Sequence, residues 1–257
     1  VFDASQKTTN GNSLNDCLLL GPQIQANLIN QLIRFRSYII ALTGDITKMY
    51  RMFWMNPEHR RFQRILWKNE NNETEEVEMN TNAFGEKSAP ALAIMGVQKI
   101  AEDEKEKYPL GSKALKEHLY VDDLNSGAKT PEEAVQVYTE VNAVCKSGGL
   151  TMAKWSSSDP GLREKFKMES DNVDLLKHET QKALGLGWNP VEDSHYFKTI
   201  NFNDNEKLTK RTLLSNISRL FDPIGFLSPI TITGKIYMQE TWKSNLKWDE
   251  ETSEELQ

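Results

Sequence analysis

Residues 119–124 read Leu-Tyr-Val-Asp-Asp-Leu, and two adjacent carboxylates between short apolar runs leave the local chain few conformations. Successive side chains of a strand point to opposite faces, so Asp122 and Asp123 can serve one site only at the tip of a tight hairpin. Taken alone, such a pair is most often a solvated turn. A third carboxylate alters the weighing. The run Tyr38-Ile39-Ile40-Ala41-Leu42 has strand length and β-branched content, and it leads into Asp45 at what would be a strand's end. Carboxylates converging from separate strands are the oxygen donors that Mg²⁺ requires. Two such ions roughly 4 Å apart activate an attacking oxygen and stabilise a leaving one. The pattern points to nucleotidyl transfer.

Periodicity and breakers organise the rest. Ile24, Leu28, Leu32, Ile33 and Phe35 predict a helix over 22–37 after Gly21-Pro22. Strands are expected at 52–55 and 62–67 around a turn at Asn56-Pro57-Glu58, then an acidic, Asn-rich loop over 68–76 and a strand over 77–83. A helix capped by Ser88 should run to about 107 and stop before Pro109. Strands at 117–121 and 124–128 precede a helix over 131–147, which has Pro131 in its first turn and Gly148-Gly149 after its end. Residues 156–178 read as a surface connection with a short helix. Two more helices follow, one with Leu213, Leu214, Ile217, Leu220 and Phe221 on a face, the other starting near Ser228-Pro229 and carrying Ile230, Ile232, Ile236, Tyr237 and Trp242. Helices crossing antiparallel strands in this order predict an α+β fold.

With 257 residues and 38% apolar content the chain can bury a full core as one large or two small domains. Its two cysteines, Cys17 and Cys145, lack metal-binding spacing and imply a reducing compartment. No run approaches a membrane span, no signal peptide is visible, and the start inside a motif without Met reads as a piece of a longer polyprotein. The net charge of −6 at first argues against a nucleic-acid binder. The acidity is concentrated, however. Residues 70–78, 102–106 and 249–255 hold 14 of the 37 acidic residues and one of the 31 basic ones, leaving 30 basic against 23 acidic elsewhere. That remainder carries Arg60, Arg61 and Arg64 among Trp54, Phe62 and Trp67, which reads either as a solvated face or as a local channel for a phosphate backbone.

An ordered series of motifs resembles the reverse transcriptase of BEL/Pao-type long-terminal-repeat retrotransposons. Val1-Phe2-Asp3-Ala4-Ser5 with Ser13-Leu14-Asn15-Asp16 resembles the end of the fingers, and Asp45 to Tyr50 the first catalytic motif. Phe84-Gly85-Glu86-Lys87-Ser88-Ala89-Pro90 resembles the loop and helix start beneath the primer terminus, and Tyr120 to Asp123 the second catalytic motif. Gly148 to Trp155 resembles the segment that closes the palm, and Leu184-Gly185-Leu186-Gly187-Trp188 the primer-grip hairpin. The block 209–250, with Phe221-Asp222-Pro223-Ile224-Gly225-Phe226, resembles the region that family naming calls the Pao retrotransposon peptidase, although it holds no Asp-Thr-Gly or Asp-Ser-Gly.

The resemblance implies a right-hand polymerase palm with partial fingers over 1–200, its antiparallel sheet packed by helices, and a helical thumb-like or connection segment over 201–257. It implies an RNA-directed DNA polymerase in which Asp45, Asp122 and Asp123 hold two Mg²⁺ ions, with Mn²⁺ as the alternative, and Asp123 in a supporting place. Lys154 would donate a proton to departing pyrophosphate, or else be a surface lysine beside Trp155. Tyr50 would exclude a 2′-hydroxyl, or else be a core tyrosine. Phe84, Gly85 and Tyr120 would lie against the incoming nucleotide or primer end, and Arg60, Arg61, Arg64, Leu184, Gly185 and Trp188 against nucleic acid. The implied partners are an RNA template, a DNA or tRNA primer, deoxynucleotides, and protease, ribonuclease H and integrase segments elsewhere in the polyprotein. Ribonuclease H carboxylates are expected downstream of Gln257. The implied location is cytoplasmic, in virus-like particles when the element is active, or nuclear. The alternative is a catalytically inactive or domesticated remnant that binds nucleic acid or a protein partner.

Overall fold

The computed structural model describes residues 2–169, 181–197 and 207–252. The chain divides into two compact units, Val1–His178 and Glu179–Gln257. The expected boundary at 200 lies outside the described residues, and the hairpin expected with the palm is grouped with the C-terminal helices. Among the described residues no helix is long and apolar enough to cross a membrane.

The first unit opens with α1 (Leu14–Cys17) and α2 (Leu28–Phe35), followed by β1 (Ile40–Ile46) and a 3₁₀ turn at Met49–Met52. Then come α3 (Pro57–Arg60), β2 (Arg64–Lys68), β3 (Thr74–Glu78), α4 (Ala89–Asp103), α5 (Pro109–Glu117), β4 (Leu119–Tyr120) and β5 (Asp123–Ala128). It closes with α6 (Pro131–Ser147), β6 (Met152–Ser157) and α7 (Pro160–Glu169). Four strands form an antiparallel sheet in the order β4-β5-β1-β6. With helices between β1 and β4 and between β5 and β6, the connectivity is that of a split βαβ unit.

Central β1 is buried along its length except at Asp45, which marks that position as a place where the chain keeps a polar group at the rim of its core. Ala93, Val97 and Ala101 repeat at four-residue spacing along α4, and Ala134, Val137, Val141 and Val144 form the matching stripe on α6. Both stripes join Leu42, Ile46 and Leu124 in one core. Each fully buried Val or Leu contributes about 1.5–3 kcal/mol relative to exposure.

Local signals set the bounds of α6. Thr130 Oγ1 accepts from Glu133 N, the Glu133 carboxylate accepts from Lys129 N, and Gly149 with φ +74° ends the run in the left-handed region. Helix α5 departs from the expectation of one helix to about 107 and then a strand at 117–121. Its start is capped from a distance: Glu140 of α6, buried, accepts from Leu110 N at 2.7 Å and Gly111 N at 2.9 Å. A Cβ at Gly111 would stand 2.5 Å from the Glu140 carbonyl carbon, so glycine is what lets the two helices cross this closely.

Three local expectations are corrected. Helix α2 begins at Leu28 and not near 22, because the Asn27 side chain accepts from Ile29 N and makes a better cap than Gly21-Pro22. Residues 52–55 form no strand. Lys48 at φ +52° starts the 3₁₀ turn, Asn56 caps α3, and only the bridge Trp54↔Thr81 remains. Ser88 precedes α4 in helical backbone geometry and makes no side-chain cap.

In the second unit β7 (Gln181–Ala183), β8 (Leu186–Asn189) and β9 (Ser194–Tyr196) form an antiparallel meander, and α8 (Lys210–Ser218) and α9 (Ser228–Lys243) form a pair. Asp222 accepts from Phe226 N and Leu227 N and so fixes the entry to α9. Lys210, buried at 3% exposure, lies with its ammonium 3.3 Å from the centre of the Trp242 ring and donates to Leu246 O.

Candidate metal centre

The register of the sheet brings the three carboxylates together. Asp45 pairs across from Asp123 on β5, and Asp123 across from Tyr120 on β4, so Asp45, Asp123 and Tyr120 share one face, and Asp122 joins them from the hairpin tip. Val121 and Asp122 form the two-residue tip of the β4–β5 hairpin, one residue earlier than the expected Asp122-Asp123 tip, because Asp123 pairs with Tyr120 as the first residue of β5; Ile46 N donates to Asp122 O at 2.9 Å. The β1–β6 register shifts between Thr43 and Asp45. A Cβ at Gly44 would meet the Met152 methyl at 2.8 Å and the Trp155 ring at 3.3 Å, so glycine permits this irregular approach of β1 to β6 beside Asp45.

One ligand oxygen from each of Asp45, Asp122 and Asp123 lies within 4.8 Å of the others, the one such group of three found among the described residues. Lys154 Nζ stands 3.0 Å from Asp45 Oδ2. Burial, then the charges of Asp122 and Asp45, pushes the Asp123 carboxyl up to about 6. Asp122 is raised chiefly by burial, with Asp45 adding to it and Lys154 and a backbone hydrogen bond opposing it. The bond to Asp45 holds the Lys154 ammonium above its usual range. Crowded, partly desolvated carboxylates of this kind gain most from a divalent cation, and an all-oxygen donor set suits Mg²⁺ or Mn²⁺.

Aromatic and glycine residues stand beside the centre. Tyr50, half-buried, packs its ring on exposed Phe84 at 4.5 Å between centroids, and its hydroxyl is raised first by burial and next by the charge of Asp122. Gly85 follows at φ +108°, and Glu86 is buried with its carboxyl pushed up by desolvation. Asn15 carries no functional signature in the sequence. Its amide donates to Gly85 O at 3.0 Å and its oxygen accepts from Lys87 N at 2.8 Å, which ties this loop to the N-terminal segment. Asn125, buried, donates to Asp123 O from behind the hairpin. No local pattern distinguishes either asparagine from a turn residue.

The expected nucleic-acid contacts divide. Arg60 and Arg61 lie over the Trp54 and Phe62 rings, and both rings are exposed. Arg64 is engaged across the β2–β3 hairpin with Glu76 and Glu78, so its charge is locally balanced. Leu184 and Trp188 are buried, Trp188 fully, with its indole N–H donating to Asp193. Their side chains are core of the second unit and offer no surface to a nucleic acid. Gly185, exposed at the β7–β8 turn with φ +85°, is the accessible member of that trio.

The first unit is therefore an antiparallel α+β unit with a carboxylate centre suited to hard divalent cations. Residues 209–257 match the family described as Pao retrotransposon-like RNaseH-like domain, a likeness confined to that C-terminal segment. No curated protein matches the chain. The description corrects the expectation that RNaseH-like sequence would begin only after Gln257. Within the matched segment, Asp249 pairs with Arg211 and Asp222 binds backbone N–H groups.

Proposed function

We propose that this chain carries the nucleotidyl-transfer centre of a Pao-type retrotransposon and acts as an RNA-directed DNA polymerase. The observation that carries the reading is the convergence of Asp45, Asp122 and Asp123 within 4.8 Å, with Lys154 on Asp45 and the Tyr50–Phe84 pair alongside. Bound by these carboxylates, divalent cations supply the charge that assists attack on the α-phosphate and offsets charge on leaving pyrophosphate. Asp45 and Asp122 would hold the ions directly, and Asp123 would orient the pair. Lys154, protonated, holds its proton beside the site and delivers it to the departing phosphate oxygen. Tyr50 fills the space that a ribose 2′-hydroxyl would need. Template, primer and deoxynucleotide are the substrates, and Arg60 and Arg61 contribute to the backbone contact.

The RNaseH-like description supports a second reading, hydrolysis of RNA in a hybrid duplex. One assay separates the two: a labelled RNA template and DNA primer, deoxynucleotides and Mg²⁺, with wild type and Asp122→Asn. Extension that vanishes in the variant supports polymerisation at this centre. RNA cleavage that persists in the variant, without extension, replaces polymerisation by hydrolysis elsewhere. Folded protein that does neither leaves a binding remnant.

A further inference from the structure

Strand β4 is an edge of the sheet and only two residues long, yet it presents the turn that carries Asp122. Two outward backbone groups on that edge are held by one side chain from an irregular segment far upstream. Gln25 Nε2 donates to Leu119 O at 3.2 Å, and Gln25 Oε1 accepts from Val121 N at 2.8 Å. A carboxamide offers the same donor and acceptor as a peptide group, so Gln25 supplies the rung that a neighbouring strand would. Gln25 is half-buried, in a cleft it shares with Ile94, Val97, Leu115 and Leu119, which limits its alternative partners.

The turn needs such a hold. Val121 sits at φ +57°, in the left-handed region where a β-branched side chain is strained. A strained residue persists where its surroundings over-determine it, and such residues gather at functional sites. Released, Val121 would relax toward extended backbone and rotate Asp122 away from Asp45.

We infer that Gln25 is a positioning residue that fixes the direction of the Asp122 carboxylate toward the divalent-cation centre, acting through the Val121 amide. The inference rests on the reading of Asp45, Asp122 and Asp123 as that centre. Its action resembles the outer partners of metal ligands, whose removal commonly lowers metal affinity by about 10–100-fold.

The test is Mn²⁺ affinity by electron paramagnetic resonance on the whole chain, for wild type, Asp122→Asn, Gln25→Met and Gln25→Met with Val121→Asn. Methionine keeps the length without the amide, and asparagine tolerates left-handed backbone. Gln25→Asn, one methylene short, substitutes if the Met variant does not fold. We expect wild type to bind, Asp122→Asn to lose binding, Gln25→Met to weaken it about tenfold, and Val121→Asn to restore part of the loss. A Gln25 role confined to stability would lower the melting temperature and leave Mn²⁺ affinity unchanged, which overturns the inference while the metal centre stands. Equal Mn²⁺ binding by wild type and Asp122→Asn overturns the centre and the inference with it.

Discussion

Replacing Asp123 by Asn should stabilise the protein at neutral pH in the absence of divalent cations, and the size of the gain follows from the crowding of the three carboxylates. The Asp123 carboxyl is raised from 3.8 to about 6, first by burial and then by Asp122 and Asp45. At about 1.4 kcal/mol per unit, that shift has a ceiling of about 3 kcal/mol. Partial exposure of the group and screening by solvent reduce it to about 1–2 kcal/mol. The folded state binds the proton more tightly than the unfolded one. The cost to folding is therefore nil below pH 3.8, grows between 3.8 and 6, and is complete above 6. Urea titrations with chelator at pH 7.5 should show Asp123→Asn more stable by that amount, and titrations at pH 3.5 should show the advantage gone. The pH difference removes whatever packing or hydrogen-bonding change the amide itself introduces. Saturating Mn²⁺ should reverse the order, since ligand at a hundred times Kd adds about 2.7 kcal/mol to the form that binds it. A variant no more stable at pH 7.5, or equally favoured at both pH values, would refute electrostatic strain at the centre.

Other perturbations test the scaffold. His118, buried between Tyr38 and Ser126, is pushed down to about 4 by burial, with Arg34 and Lys113 adding to the effect and Glu117 3.9 Å from the ring. Its neutral form supports folding above pH 6.5, and about 3 kcal/mol is lost as pH falls from 6.5 through 4. In His118→Asn that slope in melting temperature should disappear. Glu140→Ala leaves the Leu110 and Gly111 N–H groups without their acceptor and should cost about 1–3 kcal/mol in urea unfolding. Glu140→Gln, which keeps an acceptor oxygen, should cost less. Lys210→Met retains the buried stem but removes the contact with the Trp242 ring, and about 1–2 kcal/mol should be lost, read as a shift in the denaturation midpoint of tryptophan fluorescence.

The elements legible in the sequence are those whose signals are local. Helix α6 has a capping threonine, a first-turn proline and a glycine stop, and it runs over 131–147 as predicted. The hairpin at Asp122 is likewise readable to within one residue, from the two carboxylates between apolar runs together with the strand that leads into Asp45. What could not be read depends on distant partners. The cap of α5 is a glutamate on another helix, the hold on Val121 is a glutamine in an irregular segment, and the tie on Gly85 is Asn15. Trp188 and Arg64 show the same limit for function. An aromatic residue or a cation suggests a nucleic-acid contact until the fold buries the one and pairs the other.

The dependence of α5 on Glu140 also sets an order of assembly. A segment of nine residues is too short to hold itself as a helix in water. Its first N–H groups find their acceptor only when α6 has formed and crossed at Gly111. Helix α6, with its own caps, can form early, and α5 condenses onto it. The β4–β5 hairpin follows α5 directly through His118, so its entry into the sheet depends on where α5 packs. The carboxylate centre is thus expected to assemble late, an order that φ-values at Glu140 and Asp45 would check, high at the first and near zero at the second.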